Sequence, residues 1–560
     1  MSNPLKQLTL LIVILLITSL VGYFYYEQPY HAVPIHHTAS KQHWLTVILL
    51  PLDSRPPCTQ FVEQLAHMAG IKLLMPPPEL LDDYQIPANK LELRRWLSET
   101  SGQADAAIIS TDMLIHGGLV ASRLSSGTVN DYEDTVKLLT GIHHENPYLK
   151  MYVFNIIPRL LIADSQEYAA FQTKMLKYSV LKDQISIFEN VEDIKKLTVL
   201  DEEIPVIVIK HYMSMYAQNT QLNLTLMNMV QQGVLSGLVI GQDDGQPFGV
   251  PNMVKEQLQH RLIQAPDLAD KVFITRGTDE VALTILGHLI TKSYQTQPRI
   301  FVKYSTIEGP HITMPFMPNT VGVTVTEKIN ILGGRQVDHA DQADFILYVH
   351  IGTSSNKPIL KPAAQDIKSL LNQGYKVVLV DLTESFDHKE TMLPVLINEN
   401  VDITKLIAYA GWNTTSNSIG TAITQGSIFS RSLTAQANTP DLIALYRENL
   451  EFLTARFLDD LYYQKDINPS INKQLQRSHI NPYHLGSHYY QTNYTIQKLM
   501  FSKARWLLRE GLYNRPLTIE TVQGPQEIII TDLKIQTYLP WQRTFEIWLK
   551  PTLSLSIINK

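Results

Sequence analysis

The stretch Gly237-Leu238-Val239-Ile240-Gly241-Gln242-Asp243-Asp244-Gly245-Gln246-Pro247-Phe248-Gly249 decides how the chain is read. A short apolar run ends in two adjacent carboxylates, and glycine and proline then force a sharp turn. The pattern is that of a buried strand delivering charge to its C-terminal end. In α/β folds that end is where ligands bind. Two neighbouring carboxylates repel each other unless something balances them, so the pair marks a site more strongly than it marks a turn.

Four other stretches share this design. Thr46-Val47-Ile48-Leu49-Leu50 runs into Pro51-Leu52-Asp53-Ser54-Arg55. Ala106 to Ser110 ends in Thr111-Asp112, with His116-Gly117-Gly118 beyond. Lys271-Val272-Phe273-Ile274-Thr275 ends in Arg276-Gly277-Thr278-Asp279-Glu280, and Leu406 to Ala410 ends in Gly411-Trp412-Asn413-Thr414. Apolar runs alternate with helical patterns, which is the signature of repeated βα units around a parallel sheet. The expected fold is therefore α/β, with a barrel-like main domain at 44–296. A smaller α/β domain is inserted at 297–400, with strands expected at Arg299–Tyr304, Thr320–Val325, Asp344–His350 and Lys376–Asp381. Residues 401–437 return to the main domain, 438–515 read as helical and 516–560 as a β-rich tail. Pro205 to Gln232 reads as one long helix whose Tyr212, Met215, Tyr216, Leu222, Leu226 and Met229 face the core.

Composition narrows the function classes. The chain has 560 residues, 44% hydrophobic and 18% charged, as an ordinary globular protein has. A net charge of −6 without a dense basic run argues against nucleic acid as a partner. A single cysteine, Cys58, excludes a disulfide framework within the chain and a multi-cysteine metal site; it reads as a buried apolar residue. At the N-terminus, a tip at 1–7 carries Lys6, and the uncharged apolar run Leu8 to Tyr26 is long enough to span a bilayer. Lys6 keeps the tip in the cytoplasm, and Tyr23 to Tyr26 form an interfacial aromatic belt. The expectation is a single-pass membrane protein with its body outside the cytoplasm. A cleaved signal peptide is the alternative, but no small-x-small cleavage site follows. The linker at 27–43 contains His31, His36, His37 and His43, which read as solvated.

The strand-end stretches also carry a resemblance. Leu52-Asp53-Ser54-Arg55-Pro56, Ser110-Thr111-Asp112-Met113-Leu114, Gly117-Gly118, Ala121-Ser122-Arg123 and Gln242-Asp243-Asp244 form the first part of it. Gly277-Thr278-Asp279-Glu280, Ala410-Gly411-Trp412-Asn413-Thr414 and Pro540-Trp541-Gln542-Arg543-Thr544-Phe545-Glu546 complete it. Together they resemble the bacterial domain-of-unknown-function family 4127 over nearly the whole chain after the anchor. That resemblance implies no mechanism, so the chemistry must come from the residues.

Asp243 and Asp244 are the candidate catalytic pair, with Asp53, Arg55, Asp112, Asp279, Glu280, Trp412 and Asn413 as candidate substrate-binding residues. Carboxylates, an amide, a guanidinium and an aromatic ring suit a carbohydrate, whose hydroxyls take bidentate hydrogen bonds and whose ring face takes an apolar plate such as Trp412. Glycoside cleavage needs a general acid and a second carboxylate. Plainer roles are open for several of these residues. Asp53 and Arg55 can pair with each other, Asp112 can cap the following helix, and Thr278 or Asp279 can cap the next. A metal-dependent hydrolase holding a hard cation on Asp53, Asp112, Asp243 and Asp244 is one alternative, and a non-catalytic glycan-binding protein of the envelope is another. No metal or cofactor is expected: HxH and HExxH spacings are absent, as are GxSxG, Walker and GxGxxG motifs. If the body is tethered outside the cytoplasm, protease added to intact, wall-stripped cells digests it. Full protection would refute that topology.

Overall fold

The computed structural model describes residues 43–124, 127–161, 168–353, 357–435, 439–521 and 524–558. The expected tip, the anchor and all of the linker but His43 lie outside these residues. Among the described residues, no helix is long and apolar enough to cross a membrane.

Six strands form the first sheet: β1 (Leu45–Leu50), β2 (Ile71–Leu74), β3 (Ala106–Ser110), β4 (Lys150–Ile157), β5 (Gly237–Gln242) and β6 (Val272–Ile274). All pair in parallel, in the order β2-β1-β3-β4-β5-β6. The second sheet holds β7 (Arg299–Tyr304), β8 (Arg335–Val337), β9 (Phe345–Gly352), β10 (Val377–Thr383) and β11 (Ala408–Ala410). It is also parallel, in the order β11-β10-β9-β7-β8. The tail forms an antiparallel sheet of β12 (Leu517–Thr521), β13 (Gly524–Tyr538) and β14 (Trp548–Ile558). The expected α/β class, the helical stretch and the β-rich tail are all present.

Three details differ from expectation. The first sheet is open, with β2 and β6 at its edges, rather than closed like a barrel. Strand β11 pairs with β10 in the second sheet instead of returning to the first. Thr320–Val325 is not a strand but the start of the helix Val321–Leu332. Its alternating Val and Thr residues favour a strand locally. However, the buried positions Val321, Thr324, Val325, Lys328, Ile329 and Leu332 recur with helical spacing, and the Thr320 side chain accepts from the Val323 amide as an N-cap.

The two parallel sheets share one core. The helix Val281–Ser293 packs on β3, β4 and β5, while Thr415–Ala435 packs on β9, β10 and β11; the two helices also pack on each other. Val281 to Thr291 is buried along its whole length, as a helix enclosed on every side must be. The long helix Val206–Gln231 buries Tyr212, Met215, Tyr216, Leu222, Leu226 and Met229 as the pattern required. In the helical region an 11-residue π-helix spans Phe457–Ile467.

Packing is tight where β5 meets the loop after β6. A Cβ added at Gly241 would lie 2.6 Å from the Gly277 carbonyl oxygen and 2.7 Å from Ile156 Cδ1. Backbone on one side and a core side chain on the other leave no room. Gly241→Ala is therefore expected to destabilise the fold by about 1–3 kcal/mol. Gly141→Ala, in the exposed helix Val129–Glu145 with nothing nearby, should instead stabilise it by about 0.5–1 kcal/mol. Denaturant unfolding of the two variants checks the contrast.

Candidate functional site

The C-terminal ends of β1, β3, β4, β5 and β6 all open onto one edge of the first sheet. Strand β5 delivers Asp243 and Asp244 there. Asp243 is 4% exposed, and Arg123 grips it with two hydrogen bonds, from Nε to Oδ2 at 2.8 Å and from Nη2 to Oδ1 at 2.9 Å. The Asp244 amide also donates to Asp243 Oδ1, at 2.8 Å. Burial alone would raise Asp243, but the charge and hydrogen bonds of Arg123, with Arg159 further off, hold it below the ordinary carboxylate value. Asp244 is half-buried, and its carboxyl is pushed up to about 6 by burial and by the charge of Asp243. Two adjacent, chemically identical side chains are thus shifted in opposite directions.

The surrounding loops fix this pair in place. The Leu160 amide donates to the Asp244 carbonyl at 3.1 Å, and the Asp243 amide donates to the Ile157 carbonyl at 3.1 Å. Beneath that loop, the Tyr212 hydroxyl donates to the Leu160 carbonyl and the Tyr216 hydroxyl to the Arg159 carbonyl, each at 2.8 Å. The tyrosine stripe of the long helix therefore belongs to the core and also braces the site.

Asp53 and Arg55 do pair with each other, but not alone. Arg55 donates to Asp53 Oδ2 at 2.9 Å from Nε and 2.6 Å from Nη2, and Nη2 also reaches Asp279 Oδ1 at 2.7 Å. Burial would lower the Arg55 pKa, but Asp279 and Asp53 raise it well above its ordinary value. Asp53, Cys58 and Asp279 offer donor atoms within 4.8 Å of one another, a spacing that could hold a metal ion. The Arg55 guanidinium lies within hydrogen-bond distance of both carboxylates, so one of their two negative charges is already offset. Cys58 is fully buried, and burial, followed by the charges of Asp53 and Asp279, raises its thiol well above the ordinary value.

The other candidates divide. Asn413 is half-buried; it accepts from the Thr414 amide at 2.6 Å and from Asn417 Nδ2 at 2.8 Å. Asn417 Nδ2 also reaches Asp279 Oδ2 at 3.4 Å, which joins the β11 loop to the first sheet. Glu280, expected on substrate, is 1% exposed and pairs with the fully buried Lys328. It is also the N-cap residue of Val281–Ser293 and makes no side-chain capping bond, so neither Thr278 nor Asp279 takes that role. Asp112 is not a cap either: Ser110 caps its helix, and Asp112 Oδ2 accepts from the Ile156 amide at 3.0 Å. Trp412, expected as an open plate for a sugar ring, is 6% exposed and lies edge-on to Phe61 at 6.1 Å, so its ring belongs to the core.

A narrow cleft lies over the pair, lined by Gln242, Asp243, Asp244, Arg276, Gly277, Thr278, Phe316, Met317, Pro318, Thr414 and Ser416. A second one beside it is lined by Met314, Pro315, Leu382, Thr383, Phe386, Trp412, Asn413, Thr414, Thr415 and Ser418. Thr414 lines both. Sequence reasoning missed Arg123 as a site residue, although Ala121-Ser122-Arg123 stood among the motifs. It also missed Arg159, Arg276, Phe316 and Phe386. Carboxylates after an apolar strand stand out in a sequence; loop residues that reach the site from elsewhere do not.

Fold and site together define an α/β protein with two parallel sheets and an acid-lined cleft at their strand ends. The chain belongs to the family described as Protein of unknown function (DUF4127), whose model matches residues 47–550. No curated protein matches it.

Asp112 provides a pH test of the site's electrostatics. Burial, opposed by the Ile156 amide, raises its carboxyl from the ordinary 3.8 to about 7. A raised folded-state value means that the proton is held in both folded and unfolded chains below about pH 4, and that the folded chain loses stability as pH rises from about 4, where the unfolded carboxyl ionises, to about 7, where the folded one does. Asp112→Asn should therefore raise Tm at pH 8 and leave it within about 1 °C at about pH 3.5, below the unfolded value. Equal shifts at both pH values in thermal melts would refute the buried, protonated carboxyl.

Proposed function

We propose that the body is a glycoside hydrolase-like enzyme acting on cell-wall or exported polysaccharide, tethered to the cell membrane through residues 8–26. The observation that carries this reading is the adjacent pair of Asp243, gripped by Arg123, and the half-buried Asp244, whose carboxyl is raised to about 6, in a cleft at the end of β5. Pairs of carboxyls whose surroundings push their pKa values apart are how one site supplies both an acid and an anion near neutral pH.

The roles then follow. Asp244, half-buried and protonated below about pH 6, donates its proton to the glycosidic oxygen as the bond to the anomeric carbon breaks; a water molecule then bonds to that carbon and returns a proton to Asp244. Asp243 stays ionised and faces the positive charge that develops on the sugar ring. Both of its oxygens are engaged by Arg123, and Oδ1 also by the Asp244 amide. It is therefore better suited to electrostatic stabilisation, or to orienting an acetamido group, than to direct attack. Arg276, Thr278 and Thr414 line the same cleft and offer hydrogen bonds to sugar hydroxyls. Asp53, Arg55 and Asp279 act at one remove, by fixing the loops around it.

Asp244→Asn should lower turnover by about 10²- to 10⁴-fold while the protein stays folded and still binds sugar. Asp243→Asn should do the same. In the parent, activity should fall as pH rises through about 6, because the acid is then ionised. A screen of glycan substrates followed by pH–rate profiles tests this. Near-normal turnover in both variants would overturn the assignment, and a parent that binds glycans but cleaves none would make the protein a non-catalytic glycan-binding module.

A further inference from the structure

We propose that Phe316 and Phe386 form the apolar plate on which a pyranose ring of the glycan rests beside the acid pair, the role that the buried Trp412 does not fill. This rests on the carbohydrate reading above and names its ring-binding subsite. Phe316 is 53% exposed in the loop before the helix Val321–Leu332, and it lines the cleft that holds Asp243 and Asp244. Phe386, in the loop after β10, lines the neighbouring cleft. The two rings meet with centroids 6.3 Å apart at 45°. Phenylalanines from two separate loops of the second sheet, those after β7 and β10, thus converge over the junction of the two clefts.

The backbone at both residues is held in an unfavourable conformation. Phe316 has φ +64° and Phe386 φ +56°, the left-handed region that bulky side chains rarely enter. Such strain gathers at ligand clamps, where the surroundings enforce it. At Phe316 the enforcing contact is visible: its carbonyl accepts from the Gly245 amide at 3.1 Å, one residue after Asp244. Pro315 precedes it with its own φ fixed, and Pro318 restricts Met317, so the turn around Phe316 has little freedom. The exposed ring is thereby tied directly to the turn that carries the acid.

The cleft beside the plate is lined by residues with unsatisfied polar atoms. Trp412 Nε1 and Ser418 Oγ line the cleft under Phe386, in residues 6% and 1% exposed, and neither atom has a hydrogen-bond partner among the described residues. Buried polar atoms of this kind are normally satisfied. An exposed apolar plate beside the half-buried Thr414, which lines both clefts, offers the two kinds of contact a pyranose needs.

The test is saturation-transfer NMR on the full chain with an N-acetylglucosamine tetramer and a glucose tetramer as probes. Irradiating aromatic protein protons should saturate the ring C–H protons of at least one tetramer. Phe316→Ala and Phe386→Ala should each weaken its binding about tenfold, and Phe316→Trp should restore it. Should an alanine variant fail to fold, Phe316→Leu retains apolar bulk without a flat ring and is expected to show the same loss. Binding within about twofold of the parent in the folded Phe316 variants would overturn the plate. Transfer to neither tetramer would overturn it, as would a dimer abolished by Phe316→Ala, since a second copy would then be what covers the rings. The two readings fail separately. A tetramer bound through the phenylalanines but never cleaved leaves the plate and removes the hydrolase, whereas normal cleavage by Phe316→Ala leaves the hydrolase and removes the plate.

Discussion

One buried guanidinium ties together parts of the chain that are far apart in sequence. Arg55 follows β1, grips Asp53 two residues earlier, and reaches Asp279 after β6, 224 residues later. Asp279 in turn meets Asn417 at the start of the helix that covers the second sheet. The Arg55 guanidinium also lies 5.7 Å from the ring of Trp541, in the loop between β13 and β14. Both sheets and the tail therefore converge on a single charge. Removing it would leave two buried carboxylates without a counter-charge, a change that typically costs about 3–5 kcal/mol. Well-packed apolar residues could supply as much stability, so the value of the cluster lies in fixing where the loops sit.

The second sheet is locked by the same principle. Arg456 pairs with Asp459 at 3.1 Å and Asp460 at 2.8 Å. Asp460 accepts from the Gly411 amide at 2.8 Å, and Lys465 donates to the Gly411 carbonyl. All of these side chains sit on or beside the π-helix Phe457–Ile467, whose wider turn places Asp459, Asp460 and Lys465 around the end of β11. The Arg456 guanidinium lies 3.6 Å from the centroid of the Phe61 ring, which meets Trp412 on another side. The loop that carries Trp412, Asn413 and Thr414 is thus held from both faces before any ligand arrives.

Preorganisation of this kind explains why so few of the acids are free to act. Asp53, Asp279, Glu280, Asp459 and Asp460 are all consumed in buried pairs. Asp244 differs because it is half-buried and its neighbour Asp243 already holds Arg123. The order β2-β1-β3 adds a further constraint: the chain reverses direction across the sheet between β1 and β3, the position where open α/β sheets leave a crevice at their strand ends. Asp53, Asp112 and the Gly117–Gly118 turn lie at that switch point.

The sequence by itself determined the elements and their polarity. Apolar runs of strand length ending in acids set the α/β class, and the spacing of Tyr212, Met215 and Tyr216 set one face of the long helix, because these signals act within a few residues. Adjacency also made Asp243 and Asp244 legible as a pair. The tertiary structure alone decided what each acid does. Arg123 comes from 120 residues away to hold Asp243 ionised, and no local pattern encodes a partner at that distance. It likewise decided that Trp412 packs in the core while Phe316 stands exposed, since burial is set by what the rest of the chain places alongside. The open sheet and the pairing of β11 with β10 belong to the same class of fact. Strand order is chosen by which faces pack together, and a parallel strand carries the same sequence signature in either sheet.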